Sequence, residues 1–214
     1  MTGTAHGLGT VVAAAARGIF PPPDGSVTVV RQQCARDAGV LAFTAHSVVF
    51  TDEDEGWVRA TLAAVGCDPL AAAMNPRFLA AFMERTGRAH DTVDVMSVAA
   101  PLSGPPPLVL TELSGSGHPR VAAALGRRDG VRAWAADGGT VVLGHGVGGR
   151  LEASVEVAED VRHRGLGRAL ATAARHLAGE PVWAQVAAGN ARSLRAFQAA
   201  GFRPVGAEAL LTAV

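Results

Sequence analysis

Pro101 and the run Pro105-Pro106-Pro107, with Gly104 between them, impose the strongest constraint in the chain. A proline lacks the backbone N–H and fixes its own φ, so neither a helix interior nor a central strand passes through this stretch. The 214 residues are therefore expected to divide into an N-terminal lobe, residues 1–104, and a C-terminal domain, residues 105–214. Apolar residues at 49% against 18% charged allow real burial and exclude a disordered chain.

The 19 basic residues are all arginine and meet 19 acidic ones; lysine and tyrosine are absent. No catalytic lysine, Schiff base, P-loop lysine or tyrosine acid is available. With no net charge there is no global field to draw in nucleic acid or a membrane surface, so neither is expected as a partner, and a phosphorylated ligand needs a local site. Cys34 and Cys67 form no C-x-x-C and are too few for a disulfide framework or a zinc site; they read as reduced, buried thiols. The seven histidines contain no H-x-H or H-E-x-x-H pair, and no metal is expected. No apolar run reaches the ~18 residues of a membrane helix. Met1–Phe20 lacks a basic start and is broken by Arg17, so it does not read as a signal peptide, and a cytoplasmic location is the default expectation.

Residues 1–26 are rich in Gly and Ala and end in Pro21-Pro22-Pro23-Asp24-Gly25, which predicts a loosely packed arm with a turn. Strands are expected at Val27–Val30, Leu41–Thr51 and Thr92–Val98. Asp52–Glu55 opens a helix near Trp57 that Gly66 closes, and Pro76 opens another reaching Thr86, with Phe78, Leu79, Phe82 and Met83 on one face. Beyond the prolines the pattern predicts a strand at Leu108–Leu113, a helix at Pro119–Arg127, a hairpin of Val131–Ala136 and Thr140–Gly146, and a strand at Arg150–Val157. A helix at Gly165–Leu177, a strand at Val182–Val186, a helix at Ala191–Ala200 and strands at Phe202–Val205 and Glu208–Thr212 follow. An antiparallel meander followed by alternating strands and helices defines an α+β domain on one mixed sheet.

Chemistry concentrates in Val157–Leu170. A strand ends, a short loop carries Arg162, Gly165 and Gly167, and a helix begins. The first turn of a helix offers unpaired N–H groups and the positive end of its dipole, and glycines let backbone approach phosphate closely. Arg162, Arg164 and Arg168 add charge. The match G-x-G-x-x-G at Gly144, Gly146 and Gly149 leads into a strand rather than a helix, so it is not a dinucleotide fingerprint.

The arrangement R-x-x-G-x-G after a strand resembles the acetyl-CoA-binding motif of the GNAT N-acetyltransferase superfamily. Val157 to Gly167 follows the family's strand end, turn and pyrophosphate loop, with Ala158 where many members have Pro. Asn190-Ala191-Arg192-Ser193, then Phe197, then Gly201-Phe202 resembles its second signature, and strand Trp183–Val186 lies between the two. The resemblance covers residues 105–214. It implies a GNAT-like mixed, mostly antiparallel sheet flanked by helices, with strands splayed near residues 155 and 184. It further implies acetyl-CoA as co-substrate, its pantetheine arm on the backbone of Val155 and Val157 and its diphosphate at Arg162, His163, Arg164, Gly165, Leu166, Gly167, Arg168 and Ala169. Asn190, Ser193 and Phe197 complete the binding set.

Acyl transfer to an amine needs a neutral nitrogen, a polarised thioester carbonyl and a proton for the departing thiolate. The resemblance places the carbonyl at strand N–H groups near Val157. Strand alternation puts Glu152, Ser154 and Glu156 on one face, so Glu152 and Glu156 are the candidate bases. The equally plain alternative is a solvated polar face, with Glu156 paired to a local arginine. The family's usual acid, a tyrosine, is Phe197 here; Ser193 or water would have to protonate the thiolate. His145 and His46 read as hydrogen-bonded strand histidines rather than bases. Three functions stay open: an acetyl-CoA-dependent transferase acting on a small-molecule or peptide amine, a non-catalytic acyl-CoA-binding regulatory module, and a protein-interaction domain with a vestigial loop. The lobe 1–104 would form the acceptor side, either as a degenerate copy of the same fold or as an unrelated α/β lobe.

Overall fold

The computed structural model describes residues 7–115 and 117–213; the first six residues of the expected arm lie outside the described residues. The elements run α1 (Leu8–Ala16), β1 (Val27–Val30), β2 (Asp37–Phe43), β3 (His46–Phe50), α2 (Glu55–Ala64), α3 (Pro69–Ala72), α4 (Pro76–Thr86), β4 (Arg88–Ala89) and β5 (Val93–Ala99). They continue with β6 (Thr111–Leu113), α5 (Pro119–Leu125), β7 (Asp129–Ala136), β8 (Gly139–His145), β9 (Leu151–Val157), α6 (Leu166–Leu177), β10 (Val182–Ala187), α7 (Ala191–Ala199) and β11 (Arg203–Ala213). The pairings are mostly antiparallel and helices flank them, so the α+β class and mixed sheet expected from the sequence are what the chain forms. Two compact units result. One takes the residues up to Val95 and those from Val205 on, the other Met96–Pro204.

The first unit orders its strands β1-β3-β2-β11, with β4 also against β11. β1 runs parallel to β3, and the other pairs are antiparallel. Its core joins Val40, Val49, Phe78 and Phe82 with Ala209 and Leu211 of β11. α4 shows why its sequence is helical. The Asn75 side chain accepts from Arg77 N–H, Pro76 fills the first turn, and Phe78, Leu79 and Phe82 are buried on one face. The acidic run is consumed locally: Asp54 caps α2, while Asp52, Glu53 and Glu55 pair with Arg31, Arg85 and Arg59. His46 is a buried, fully bonded histidine. Its Nδ1 lies 3.0 Å from Asp24 Oδ1 and its Nε2 2.9 Å from Thr28 Oγ1.

Five expectations need correction. The arm contains a helix, α1, because Leu8, Val12 and Ala15 recur on one face and are buried. The strand expected at Leu41–Thr51 is a hairpin: Phe43 pairs with His46 across the two-residue loop Thr44-Ala45, with Ala45 at φ 53. The two terminal strands are one, β11, and Leu108–Leu113 contributes only β6. Cys34 and Cys67 are free but exposed, because both lie in connecting segments where their thiols bond to Asp37 Oδ2 and Asp68 O.

The second unit orders its strands β10-β9-β8-β7-β6. β9 and β10 run parallel, and the pairs β9-β8, β8-β7 and β7-β6 are antiparallel. Leu170, Ala171 and Ala174 of α6 are buried with Leu143, Ala153, Val182, Ala184, Phe197 and Phe202. Gly139 brings α6 onto β8: a Cβ there would meet Leu170 Cδ1 at 2.7 Å and Glu156 O at 3.0 Å. The proline-rich segment lies within this unit along α6. Leu102 N–H donates to Arg175 O, Arg175 Nε donates to Ala100 O, and His176 Nδ1 is 3.1 Å from Gly104 O. Among the described residues no helix is long and apolar enough to cross a membrane.

Candidate functional site

β9 and β10 start as neighbours and then part. Their register comprises Val182 with Leu151 and Trp183 with Glu152, although β9 continues to Val157 and β10 to Ala187. On its other side β9 stays paired with β8 along its length, from Leu151 to Val157. The ends carrying Val155 and Val157 thus face a gap, and at that gap lies a cavity of about 680 Å³.

The turn that leads from β9 into α6 opens on this cavity. His163 and Gly165 both adopt left-handed conformations, φ 67 and φ 85. Glycine accepts this at no steric cost; the histidine does not, so the turn is held against local preference. No side chain caps α6, so the first N–H groups of the helix are left for another acceptor. Apart from its chain neighbours, nothing lies within 4 Å of where a Gly165 side chain would begin. Gly167 sits between Val157 and Ala196, whose carbons are 3.7 and 3.8 Å from its would-be Cβ. Arg162, His163, Leu166 and Arg168 line the cavity with these glycines. Arg162 Nε reaches Val157 O at 3.4 Å, and its Nη1 lies 3.7 Å from Glu159 Oε1.

α7 closes the cavity from a part of the sequence remote from that turn. Asn190 caps the helix, its side chain accepting from Ser193 N–H at 3.2 Å. The helix ends in a Schellman arrangement, Phe202 N–H to Phe197 O and Gly201 N–H to Gln198 O. Asn190, Ser193 and Phe197 all line the cavity. Phe197 does so from the core: it is 5% exposed and meets Phe202 edge-on at 4.9 Å.

The polar face of β9 is met by arginines along its length. Arg120 Nε donates to Glu156 Oε2 at 2.9 Å, and Arg128 Nη1 donates to Ser154 Oγ at 3.2 Å. Glu152 is held at both oxygens, Oε2 by Arg128 Nε at 2.9 Å and Oε1 by Arg150 Nε at 2.8 Å. Arg150 is itself buried, stacks on Trp183 at 5.4 Å and reaches Gln185 of β10 once that amide is oriented to accept. Burial alone would raise the Glu152 carboxyl; attraction by Arg150 and then Arg128, with hydrogen bonds from both, outweighs it and holds the group below its ordinary value. The two candidate glutamates therefore differ. Glu156 is partly exposed on the cavity wall, whereas Glu152 is buried behind it and does not line it. Arg164 and Ala169 also fall outside the lining. His145 lies 3.1 Å from Glu180 and is half-exposed. Among the described residues no group of three or more His, Cys, Asp or Glu side chains is placed to hold a metal ion.

Arg120, Arg192 and Arg195 line the cavity without having been singled out from the sequence. Arg192 and Arg195 had a local signal, two arginines three apart on the helix that Asn190 caps. Arg120 had none, since its partner Glu156 is 36 residues away.

Residues 112–202 match the family model described as Acetyltransferase (GNAT) family. The matched stretch takes in both motifs, so this C-terminal part of the chain is similar to a GNAT acetyltransferase domain. A search of curated proteins finds no match. Among solved structures, the chain is similar to a GCN5-related N-acetyltransferase from Kribbella flavida, at 18% identity over 66% of this chain and 65% of that one, with a TM-score of 0.39. It is similar to a GCN5-related N-acetyltransferase from Sphaerobacter thermophilus at 17% identity over 63% and 55% of the two chains, TM-score 0.37. It is also similar to a tandem GNAT protein from the clavulanic acid biosynthesis pathway at 16% identity over 63% and 57%, TM-score 0.39. The chain thus spans between 55% and 65% of the length of these three structures.

Proposed function

We propose that the chain is an acetyl-CoA-dependent N-acetyltransferase that moves an acetyl group directly to a primary amine, of a small molecule or a peptide, within a ternary complex. One observation carries this reading. Arg162, Gly165 and Gly167 of the first motif and Asn190, Ser193 and Phe197 of the second line a single cavity, beside a strand end that has lost its parallel neighbour.

The residues present fit the co-substrate. The uncapped N–H groups opening α6, with Arg162, His163 and Arg168, suit a diphosphate. Arg164 and Ala169 flank that turn, and the open edge of β9 at Val155 and Val157 suits an extended amide-bearing arm added as a further strand. Bound acetyl-CoA supplies an acetyl group already activated as a thioester. Glu156 has the base's role: it accepts the proton that the acceptor ammonium sheds, freeing the nitrogen lone pair. Backbone N–H near Val157 polarises the acetyl carbonyl while the C–N bond forms and the C–S bond breaks. Ser193 or water relays to the departing sulfur the second proton, which the nitrogen sheds as it becomes the amide. Glu152, with both oxygens held by guanidinium groups, supports the strand from behind.

A non-catalytic acyl-CoA-binding role is favoured by one feature, the phenyl ring of Phe197, which has no proton to give and is packed into the core. Thiol release from acetyl-CoA with a panel of amines separates the two. The transferase reading expects release that depends on the amine and falls about 100-fold or more in Glu156→Gln at unchanged acetyl-CoA affinity. Tight binding with no amine-dependent release establishes the other reading. The N-terminal lobe as acceptor side, and as a degenerate copy of the same fold, belongs to this proposal as well.

A further inference from the structure

Several surface arginines of this chain are matched to an acid. Arg31, Arg59, Arg85 and Arg132 each pair with a carboxylate within 3.0 Å. Arg192 and Arg195 have no such partner among the described residues, although both are exposed and both line the cavity. They lie three apart on α7, so they share one side of that helix. α7 contains no acidic residue, and Glu156, the one carboxylate on the cavity wall, is taken by Arg120.

Their position is also unfavourable for the helix itself. Arg192 stands in the first turn of α7, where the dipole is positive and an acid is the stabilising choice. Arg168 repeats this in the first turn of α6, which likewise has no acid there. Two helix starts thus hold uncompensated cations against one cavity. Structural pairing does not account for them; an anionic ligand does.

The diphosphate of the proposed co-substrate is already provided for by the turn at Gly165 with Arg162 and Arg168. That leaves the α7 pair. Coenzyme A carries a second, separate anion, the phosphomonoester on its ribose, with a charge of about −1.5 to −2 at neutral pH and three acceptor oxygens. Guanidinium groups match such an oxygen set with paired N–H donors. We propose that Arg192 and Arg195 bind this 3′-phosphate and make the site selective for coenzyme A over 3′-dephospho-coenzyme A. The inference rests on the acyl-CoA reading above and adds a specificity determinant to it.

The test is calorimetric titration of the full chain with acetyl-CoA and with 3′-dephospho-acetyl-CoA. Wild type is expected to prefer acetyl-CoA by about tenfold or more, the effect of charge-assisted hydrogen bonds to one phosphate. In the double variant Arg192→Gln/Arg195→Gln the two dissociation constants converge to within about twofold, and raising the salt from about 50 to about 200 mM narrows the wild-type gap by screening. Both substitutions are on the surface, and the ratio of two affinities within one variant is insensitive to partial loss of fold. Equal binding of the two ligands by wild type overturns this proposal and leaves the acyl-CoA reading standing. Persistence of the preference in the double variant also overturns it, and a raised KM for the amine in that variant would then assign the pair to the acceptor. Indifference of wild type to both ligands overturns the two together.

Discussion

Glu152 shows how environment divides two carboxylates that the strand pattern treats alike. It stands two residues along from Arg150 and four before Glu156, on the same face of β9, yet its oxygens are held by two guanidinium groups while Glu156 has one exposed partner. Glu152→Gln leaves Arg150 and Arg128 without their shared counter-charge. Breaking a buried pair in this way is expected to cost about 3–5 kcal/mol, read as a lowered urea midpoint for the second unit. The folded-state pKa of Glu152 lies below its ordinary value of 4.5. Its stabilisation is therefore fully present above pH 4.5 and is lost as pH falls through the lower, folded value. Wild type should lose stability across that acidic range more steeply than Glu152→Gln; parallel curves would show that the ion pairs contribute nothing. The strand alternation was legible because it is local. The partners were not: Arg128 is 24 residues from Glu152 and Arg120 is 36 from Glu156, and no spacing rule connects them.

The turn into α6 was legible as an element because each of its parts is local: a strand end, a glycine at φ 85 and a helix start with no cap. The same holds for α7, with its Asn190 cap and Gly201 closure. Gly165→Glu separates the turn's chemistry from its folding. The new side chain has room, but an L-residue in a left-handed conformation costs about 1–2 kcal/mol and its carboxylate faces the phosphate site. Acetyl-CoA affinity should fall by at least about 100-fold, since an acid replaces bare N–H donors at an anion site, while circular dichroism stays near wild type. Gly165→Ala carries the strain without the charge and should lose less. Equal losses in the two variants would make backbone geometry, not anion binding, the purpose of the glycine. α1 was missed for the opposite reason. Leu8, Val12 and Ala15 sit among residues as small as those of a flexible arm, and only their burial in the folded chain makes the segment a helix. The hairpin at Thr44-Ala45 was missed because neither residue is a usual turn former, and Ala45 reaches φ 53 without being glycine.

The path of the chain was the least legible feature. Residues from Val205 on complete the unit built from the N-terminal residues, and β11 pairs Ala207 through Thr212 with Ala42 through Asp37. A pairing between segments that far apart in sequence leaves no periodicity to read. It makes a definite prediction. A chain ending after Pro204 loses the strand beside β2 and the fully buried Ala209 and Leu211, so amides of β2 and β3 should lose hydrogen-exchange protection. Unchanged protection there would show that β11 is dispensable to that core. The proposed function requires the start of α6 and the surrounding arginines to hold the diphosphate of coenzyme A. Calorimetric titration of acetyl-CoA into the full chain tests it most directly. One site per chain with a Kd at or below about 100 µM, within the usual range for enzyme substrates, is the expected result, and no heat of binding up to about 1 mM would contradict the account.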